Sequence, residues 1–98
     1  MPTYEALPRC TADLDRLSPT QRWRFRRAVL EAFVPDLRTR RPFHPGLRIK
    51  GIRCAPGVYK LTWAPDGRAT WCYGRARIAG DRHIVWRRIG THSILTSP

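Results

Sequence analysis

The sequence predicts an α+β fold in which an N-terminal helical hairpin packs on a small antiparallel β-sheet meander. Apolar residues recur at helical spacing as far as Leu37, and from Leu47 onward they alternate with polar residues. A segment with two prolines and a glycine, residues 38–46, separates the two parts. Helices followed by strands are typical of an α+β plan, and 98 residues suffice for one core, so we expect a single domain over residues 1–98.

Two short elements are predicted at the start of the chain. Residues 4–8 favour a first strand, and residues 10–17 favour a brief helix with Leu14 and Leu17 on one side.

The second helix has a clear start signal. Ser18 suits the N-cap, Pro19 the first helical position and Gln21 the partner position of a capping box. Proline has no backbone N–H to donate, so Pro35 predicts a kink or an end near Val34, with one further turn beyond it.

Four strands are predicted after the connector. Turn residues separate four segments of alternating or β-favouring sequence: 47–53, 58–63, 68–73 and 82–89. A three-residue loop of Pro65, Asp66 and Gly67, with the glycine left-handed, places Ala64 opposite Arg68.

That register separates the side chains of the central hairpin into two faces. We expect one face to pack on the helices, and it carries Tyr59, Leu61, Trp63, Ala69, Trp71 and Tyr73. We expect the other face to be open to water, and it carries Lys60, Thr62, Arg68, Thr70 and Cys72. Alternation in the preceding strand adds Arg48 and Lys50 to the open face.

The charge of the chain indicates an anionic partner. The net charge is +12, and residues 47–98 contain ten basic residues against two acidic ones. Such an imbalance repels itself unless an opposite charge binds, and a polyanion such as RNA is the expected ligand of the C-terminal half.

The cysteine pattern favours neither a disulfide framework nor a zinc site. Cys10, Cys54 and Cys72 are widely spaced, and no CxxC pair occurs. We expect no metal and no cofactor. No segment has the ~18 apolar residues of a membrane span, and residues 1–10 lack the layout of a signal peptide, so the expected location is the cytoplasm.

A histidine beside the open basic face suggests chemistry on a phosphodiester. Cationic side chains hold phosphates, fixed arginines stabilise charge that develops on phosphorus, and an imidazole such as His92 can transfer a proton near neutral pH. A structural histidine on a non-catalytic binding module remains the alternative. We expect His44 to be structural, and the role of His83 stays open. The predicted RNA-binding residues are Arg48, Lys50, Arg53, Arg75 and Arg87, although alternation does not decide between Arg87 and Arg88.

Four local motifs resemble the RelE/ParE superfamily of bacterial type II toxins, and within it the RelE- and YafQ-like mRNA interferases. The motifs are "LRIKGIRCAPGVYKL" (47–61), "DGRATWCY" (66–73), "HIVWRRIG" (83–90) and "GTHS" (90–93). The resemblance covers roughly residues 10–95 and implies a RelE-like fold.

The resemblance also implies catalytic roles for three residues. Lys60 matches a catalytic lysine, Arg68 matches the arginine that contacts the scissile phosphate, and His92 matches the C-terminal acid/base. The chain departs from the RelE pattern at Thr62, where RelE has a second lysine. It departs again after the Gly-Thr-His motif, where the family usually has an aromatic residue that stacks on a base. Ile94 and Leu95 stand there instead, which implies weakened activity, a different stacking partner such as Trp71 or Tyr73, or a toxin that has lost its activity.

The function implied by the resemblance is cleavage of mRNA in the ribosomal A site, leaving a 2′,3′-cyclic phosphate. A cognate acidic antitoxin would wrap over the toxin and hold it inactive. The Gly-Thr-His motif favours this branch over the ParE-like toxins that inhibit gyrase, which remain an alternative together with a non-catalytic nucleic-acid-binding module.

Overall fold

Five strands in one sheet, with short helices packed against it, make up the structure. A computed structural model describes residues 2–40 and 42–98. In chain order the elements are β1 (Thr3–Ala6), α1 (Pro8–Arg16), α2 (Pro19–Ala28), a π-helical turn (Val29–Phe33), α3 (Val34–Thr39), a 3-10 turn (Pro45–Leu47), β2 (Lys50–Ile52), β3 (Ala55–Thr62), β4 (Gly67–Gly74), β5 (His83–Thr91) and a C-terminal 3-10 turn (His92–Thr96). The α+β class is confirmed. No helix in these ranges has the length and apolar character needed to cross a bilayer.

The sheet is mixed, whereas the sequence predicted an antiparallel meander. Strands β2 to β5 do form that meander, but the spatial order is β1-β5-β4-β3-β2. Strand β1 lies parallel to β5, with Thr3 opposite His83 and Ala6 opposite Trp86. Alternation within a short segment specifies which residues share a face but not which strand becomes the neighbour, so the parallel edge was not predictable from the pattern.

The predicted capping box at the start of α2 is confirmed. The Ser18 hydroxyl accepts a hydrogen bond from the Gln21 amide at 3.2 Å, and the Gln21 side-chain oxygen accepts one from the Ser18 amide at 2.8 Å. Two backbone donors at the helix start therefore have partners, and the direction of α2 is fixed at its first turn.

The expected break near Val34 is a π-helical turn rather than a kink to a new direction. The Val34 amide donates to the Val29 carbonyl, five residues earlier, and the helical backbone continues through Pro35 to Thr39. A wider turn accommodates a proline that cannot donate its own hydrogen bond, because the extra residue relieves the crowding against the preceding carbonyls.

The predicted core face of the hairpin packs on the helices. Leu61, Ala69 and Trp71 are fully buried. The ring of Phe33, from the π-helical turn, lies 4.9 Å from the Trp71 ring and 5.4 Å from the Trp86 ring, centroid to centroid. Aromatic contacts of this kind add to the burial of apolar area and hold the helices against one face of the sheet.

The loop between β3 and β4 has the predicted length but begins one residue earlier than predicted, at Ala64 instead of Pro65. Trp63 and Gly67 bracket the loop, and Thr62 rather than Ala64 lies opposite Arg68. Gly67 does not have a positive φ. The glycine is needed instead because a Cβ there would come within 2.6 Å of the Trp63 ring. The shift preserves the alternation, so the two predicted faces are unchanged.

The other strand boundaries also differ from the prediction. Strand β2 is short because Leu47 belongs to a 3-10 turn and Arg48 has a left-handed backbone with φ of 47°. Strand β3 begins at Ala55, inside the predicted turn, because the turn itself lies at residues 53–54. Strand β5 runs through Gly90 and ends at Thr91, two residues later than the sequence indicated.

The edge of β5 is closed by a strand at one end and by a side chain at the other. Strand β1 pairs with β5 only as far as Trp86. Beyond it, the buried carboxylate of Asp13 in α1 accepts hydrogen bonds from the Ile89 amide at 3.1 Å and from the Arg88 guanidinium at 2.7 Å. A bulge at Arg87 separates the two regions. Helix α1 thus sets the course of β5 toward its C-terminal end.

Candidate catalytic face

Pairing of β3, β4 and β5 places the predicted catalytic side chains in adjacent cross-strand rows. Neighbouring strands are about 4.8 Å apart, and rows on the same face are about 7 Å apart. The first row contains Thr62, Arg68 and Gly90, and the second contains Lys60, Thr70 and Arg88. Strand β2 extends the second row, because Lys50 lies opposite Lys60. The structure therefore brings Lys50, Lys60 and Arg68 together, as the alternation predicted.

The Arg68 guanidinium is held in place by the loop before β4. One of its terminal nitrogens donates to the carbonyl oxygens of Gly67 at 3.0 Å, Pro65 at 3.2 Å and Ala64 at 3.4 Å. The remaining guanidinium N–H groups have no acceptor in the described part of the chain. An arginine fixed in this way presents donors to an anion without first losing side-chain freedom, which is the arrangement that electrostatic stabilisation requires.

Two lysines concentrate positive charge beside Arg68. Lys50 and Lys60 face each other across β2 and β3, and Lys50 is exposed. Like charges directly opposite on one sheet face disfavour the folded state, so the pair is stabilised when an anion binds between them.

His92 lies at the rim of this face. It is the first residue of the C-terminal 3-10 turn, directly after the Gly67–Thr91 pair that ends the sheet. Its side chain is exposed, and its imidazole makes no hydrogen bond to any described residue. An imidazole without a protein partner can exchange a proton with a bound ligand.

The C-terminal turn packs on the face that the sequence predicted to be open. Ile94 is buried, and its Cγ2 atom lies 2.9 Å from where a Cβ at Gly90 would stand. Thr70 in the second row is fully buried. The predicted open face is therefore covered over part of its area, because the glycine leaves room for Ile94. This packing also fixes the start of the turn, where His92 stands.

Three arginines bind the last residues of the chain. Arg9 donates to the Ser97 hydroxyl at 2.9 Å, and Arg88 donates to the Ser97 carbonyl at 3.2 Å. Arg87, predicted to bind RNA, donates to the Pro98 carbonyl at 3.3 Å. Arg88 also pairs with Asp13, which neutralises its charge, whereas Arg87 has a backbone carbonyl as its partner and no acidic partner among the described residues.

The other predicted RNA-binding arginines lie in different places. Arg48 is outside the β2 strand but lines a groove together with Thr62 and Arg68. Arg53 lies in the β2–β3 turn and Arg75 follows β4, both exposed at the end of the sheet remote from His92. The structure thus places Arg48 beside the row of Thr62, Arg68 and Gly90, and it separates Arg53 and Arg75 from that row.

The remaining histidines have protein partners. Thr3 and Glu5 of β1 bind the two ring nitrogens of His83 at 2.7 Å and 3.0 Å, and the ring is buried. His44 binds the buried carboxylate of Asp36 through its ring and its backbone amide. Both histidines therefore contribute hydrogen bonds to the fold, and both ring nitrogens of His83 have protein partners.

Neither aromatic residue suggested as a replacement stacking partner lies near His92. Trp71 is fully buried under the helices. Tyr73 is half-exposed, but it lies near the far end of β4, where Arg82 binds its hydroxyl at 2.7 Å and covers its ring at 5.2 Å. Neither suggested replacement therefore stands beside His92, because Trp71 lies on the face that packs on the helices and Tyr73 lies at the far end of β4.

The sequence analysis did not identify Asp13, which lies in α1 and binds the end of β5 that leads to His92. Burial opposes ionisation of this carboxyl, but hydrogen bonds from Arg88 and from the Ile89 amide outweigh the burial and lower its pKa. The contact joins residues 75 and 76 positions apart. No spacing rule could have identified it, although an acidic residue on the apolar side of a short helix is a weak signal of a buried ion pair.

The cysteines are separate thiols. All three are free, and burial together with the nearby Asp13 charge raises the pKa of Cys10 to about 11, although Arg88 opposes the shift. Among residues 2–40 and 42–98, no three His, Cys, Asp or Glu side chains gather as a metal site would require.

Comparison with known proteins supports the fold through structure rather than sequence. The chain matches no protein-family model and no curated protein sequence. It is similar in structure to YafQ in the Escherichia coli DinJ-YafQ complex, with a TM-score of 0.61 and 13% identity over 97% of this chain and 98% of that one. It is also similar to a copper-bound mutant toxin from Helicobacter pylori, with a TM-score of 0.56 and 19% identity over 95% and 97% of the two chains.

A third structure has the same arrangement. The Helicobacter pylori protein HP0892 aligns with 97% of this chain and 99% of its own length, with a TM-score of 0.56 and 18% identity. Nearly complete coverage in both directions means that the whole chain, and not one motif, has the common architecture. The chain therefore has the RelE/YafQ-like toxin fold.

Proposed function

We propose that this chain is the toxin of a type II toxin–antitoxin system and cleaves mRNA on the ribosome. The observation that carries the proposal is the exposed, unpartnered His92 at the rim of a face where Arg68, Lys60 and Lys50 form adjacent rows. Cations without protein counter-ions suit a phosphodiester, and the adjacent imidazole suits proton transfer to or from it.

The proposed reaction is internal transesterification. The 2′-oxygen attacks phosphorus, a P–O2′ bond forms and the P–O5′ bond breaks, which leaves a 2′,3′-cyclic phosphate and a 5′-hydroxyl. The 2′-hydroxyl loses its proton to solvent, and the His92 imidazolium donates one to the departing 5′-oxygen. Arg68 and Lys60 stabilise the extra negative charge on the non-bridging oxygens. The chemistry as proposed uses only protein side chains and water.

The proposed partner is an acidic antitoxin. The chain carries a net charge of +12, and α2 exposes Trp23 among the arginines 22, 24, 26 and 27. An acidic protein with an apolar side would neutralise this charge and cover the exposed ring. Co-expression of the cognate antitoxin should restore the growth of cells that produce the wild-type chain.

The test is induced expression of wild-type and His92→Ala chains in a bacterial host, with growth curves and primer extension on several transcripts. We expect arrest with new RNA ends inside translated codons for the wild type. General acid–base catalysis contributes about 10²–10⁴-fold, so the variant should lose at least 100-fold in cleavage. Ser93→Ala is the matched control, because Ser93 is equally exposed and its hydroxyl bonds the neighbouring Thr91.

The outcomes separate the classes of function. Arrest without cleavage ends would overturn the nuclease and favour inhibition of gyrase. Absence of arrest, with folded protein in the cells, would leave a binding module. Equal cleavage by the wild type and His92→Ala would keep the nuclease and remove His92 from its mechanism.

A further inference from the structure

A groove of about 630 Å³ adjoins the cross-strand row of Thr62, Arg68 and Gly90. It runs beside β3 at the end that β2 does not cover, because β2 begins at Lys50 opposite Lys60. The residues that define the groove are Gly46, Arg48, Thr62, Trp63, Pro65 and Arg68. One of the catalytic side chains, Arg68, is therefore also a wall of the groove.

The 3-10 turn before β2 shapes the opposite wall. Residues 45–47 form the turn, and Arg48 follows with a left-handed backbone, φ 47°. A residue other than glycine, asparagine or aspartate seldom adopts this conformation. This backbone conformation places Arg48 at the groove that Thr62 and Arg68 also line.

The lining combines apolar surface with two guanidinium groups. Trp63, Pro65 and Ala64 supply apolar surface, and Arg48 and Arg68 supply planar cations. A nucleobase has the complementary character, with apolar faces that stack on guanidinium planes and polar edges that bind donors. The volume lies within the range of small-molecule sites in proteins.

We propose that this groove binds the nucleobase next to the scissile phosphate. The inference rests on the proposed function and deepens it by naming a base subsite. Ile94 is buried against Gly90 and Trp71 is buried in the core, so neither side chain can stack on that base. The groove offers an alternative within reach of Arg68, which would contact the phosphate on one side and the nucleoside on the other.

Gly46 allows the groove to be filled without disturbing the fold. A Cβ at Gly46 meets no atom within 4 Å, and the backbone there is not left-handed. Gly46→Phe should therefore fold and occupy the space of a base. Gly51→Phe is the matched control, because Gly51 in β2 has the same open surroundings but does not line the groove.

The probe is a 2′-fluoro RNA heptanucleotide, which lacks the attacking hydroxyl, together with a set of versions that each carry one abasic position. Fluorescence anisotropy measures the Kd of each. For the wild type and Gly51→Phe, we expect one abasic position to weaken binding about tenfold, as loss of a stacked base does. For Gly46→Phe, the intact RNA should bind about tenfold more weakly, and the same abasic position should have little further effect.

The ratio of the Kd of abasic RNA to the Kd of intact RNA measures the contribution of the base. The general attraction of a basic protein for phosphates is the same for both RNAs and cancels in this ratio. If Gly46→Phe shows the same ratio as the wild type, the base does not occupy the groove and this inference is overturned while the nuclease proposal stands. If the wild type binds intact and abasic RNA equally at every position, no base subsite exists. If the wild type does not bind the RNA at all, the base subsite is overturned, whereas the nuclease proposal is decided separately by growth arrest and primer extension on translated transcripts.

Discussion

The two ends of β5 each carry a histidine, and their surroundings are opposite. His83 at the start of the strand is buried and has a partner for each ring nitrogen. His92, just past the end, is exposed and has no hydrogen-bond partner in the described structure. The eight residues between them separate a histidine that stabilises the sheet from one that has no protein partner among the described residues. The partners of a histidine, rather than its presence in a strand, therefore distinguish the two roles.

The difference arises from what closes the edge of β5. At the His83 end the edge is covered by β1, which supplies Thr3 and Glu5. Gly74, opposite His83, leaves room for the ring, since a Cβ there would come within 2.7 Å of it. At the other end no strand covers the edge, and Asp13 closes it with a single carboxylate. The C-terminal end of β5, next to His92, is therefore exposed, while Asp13 fixes the backbone of the strand at Ile89.

The prediction with the largest expected effect tests whether Asp13 stabilises the end of β5 that precedes His92. Asp13→Ala leaves the Arg88 guanidinium and the Ile89 amide without their acceptor, and breaking a buried ion pair from one side costs about 3–5 kcal/mol. Urea unfolding should show this loss in the free energy of unfolding. Asp15→Ala on the exposed side of the same helix is the control and should stay within about 0.5 kcal/mol. A loss below about 1 kcal/mol for Asp13→Ala would mean that the strand end needs no such support.

A second prediction compares the two histidines directly. His83→Ala removes a buried ring, takes a hydrogen-bond partner from Thr3 and leaves Glu5 with Arg77 as its remaining partner, so the free energy of unfolding should fall by about 2 kcal/mol. His92→Ala should change it by less than about 0.5 kcal/mol, because the side chain is exposed and unpartnered. Thermal melts of the two purified variants check this. Destabilisation by His92→Ala equal to that of His83→Ala would contradict the division of roles.

Much of the fold could be predicted, because local rules govern it. The capping box at Ser18 and the alternation along β3 and β4 depend on residues close in sequence, and alternation gives the correct face even when the register is shifted by one pair. The parallel β1, the Asp13 contact and the burial of Thr70 depend on residues far apart in the chain. No periodicity encodes them.

The candidate site was predictable to the same extent. Lys50, Lys60 and Arg68 were placed together by alternation, and the structure brings them together. Arg53 and Arg75 were assigned by charge alone and lie at the other end of the sheet. Charge specifies that a surface binds anions but not where on the surface the anion lies.

Acid pH should reduce the contribution that Asp13 makes to the free energy of unfolding. The pKa of Asp13 is lowered in the folded state, so its contribution to stability is present above the pKa of an unfolded aspartate, about 3.9, and is lost as the pH falls through the lowered value. The pKa of Glu5 is also lowered, chiefly by the hydrogen bond with His83. Both carboxylates, one at each end of β5, therefore contribute less stability as the pH falls. The urea midpoint of the wild type should fall between pH 4 and pH 2, and Asp13→Ala should show a shallower fall. Parallel curves for the two proteins would assign the acid response to other carboxylates.

The smallest effect is a difference in thiol labelling that reports whether α1 stays docked on β5. Cys10 is fully buried, and its pKa of about 11 leaves roughly one thiol in a thousand ionised at pH 8. Cys54 is exposed in the β2–β3 turn. Iodoacetamide followed by mass spectrometry should modify Cys54 within minutes and leave Cys10 unmodified in the folded wild type. Because Asp13 anchors α1 and its charge also raises the pKa of Cys10, Asp13→Ala should speed the labelling of Cys10 for both reasons, while that of Cys54 stays the same. Equal labelling rates for the two thiols in the wild type would show that α1 opens readily, and the fixed course of β5 toward His92 would then need another explanation.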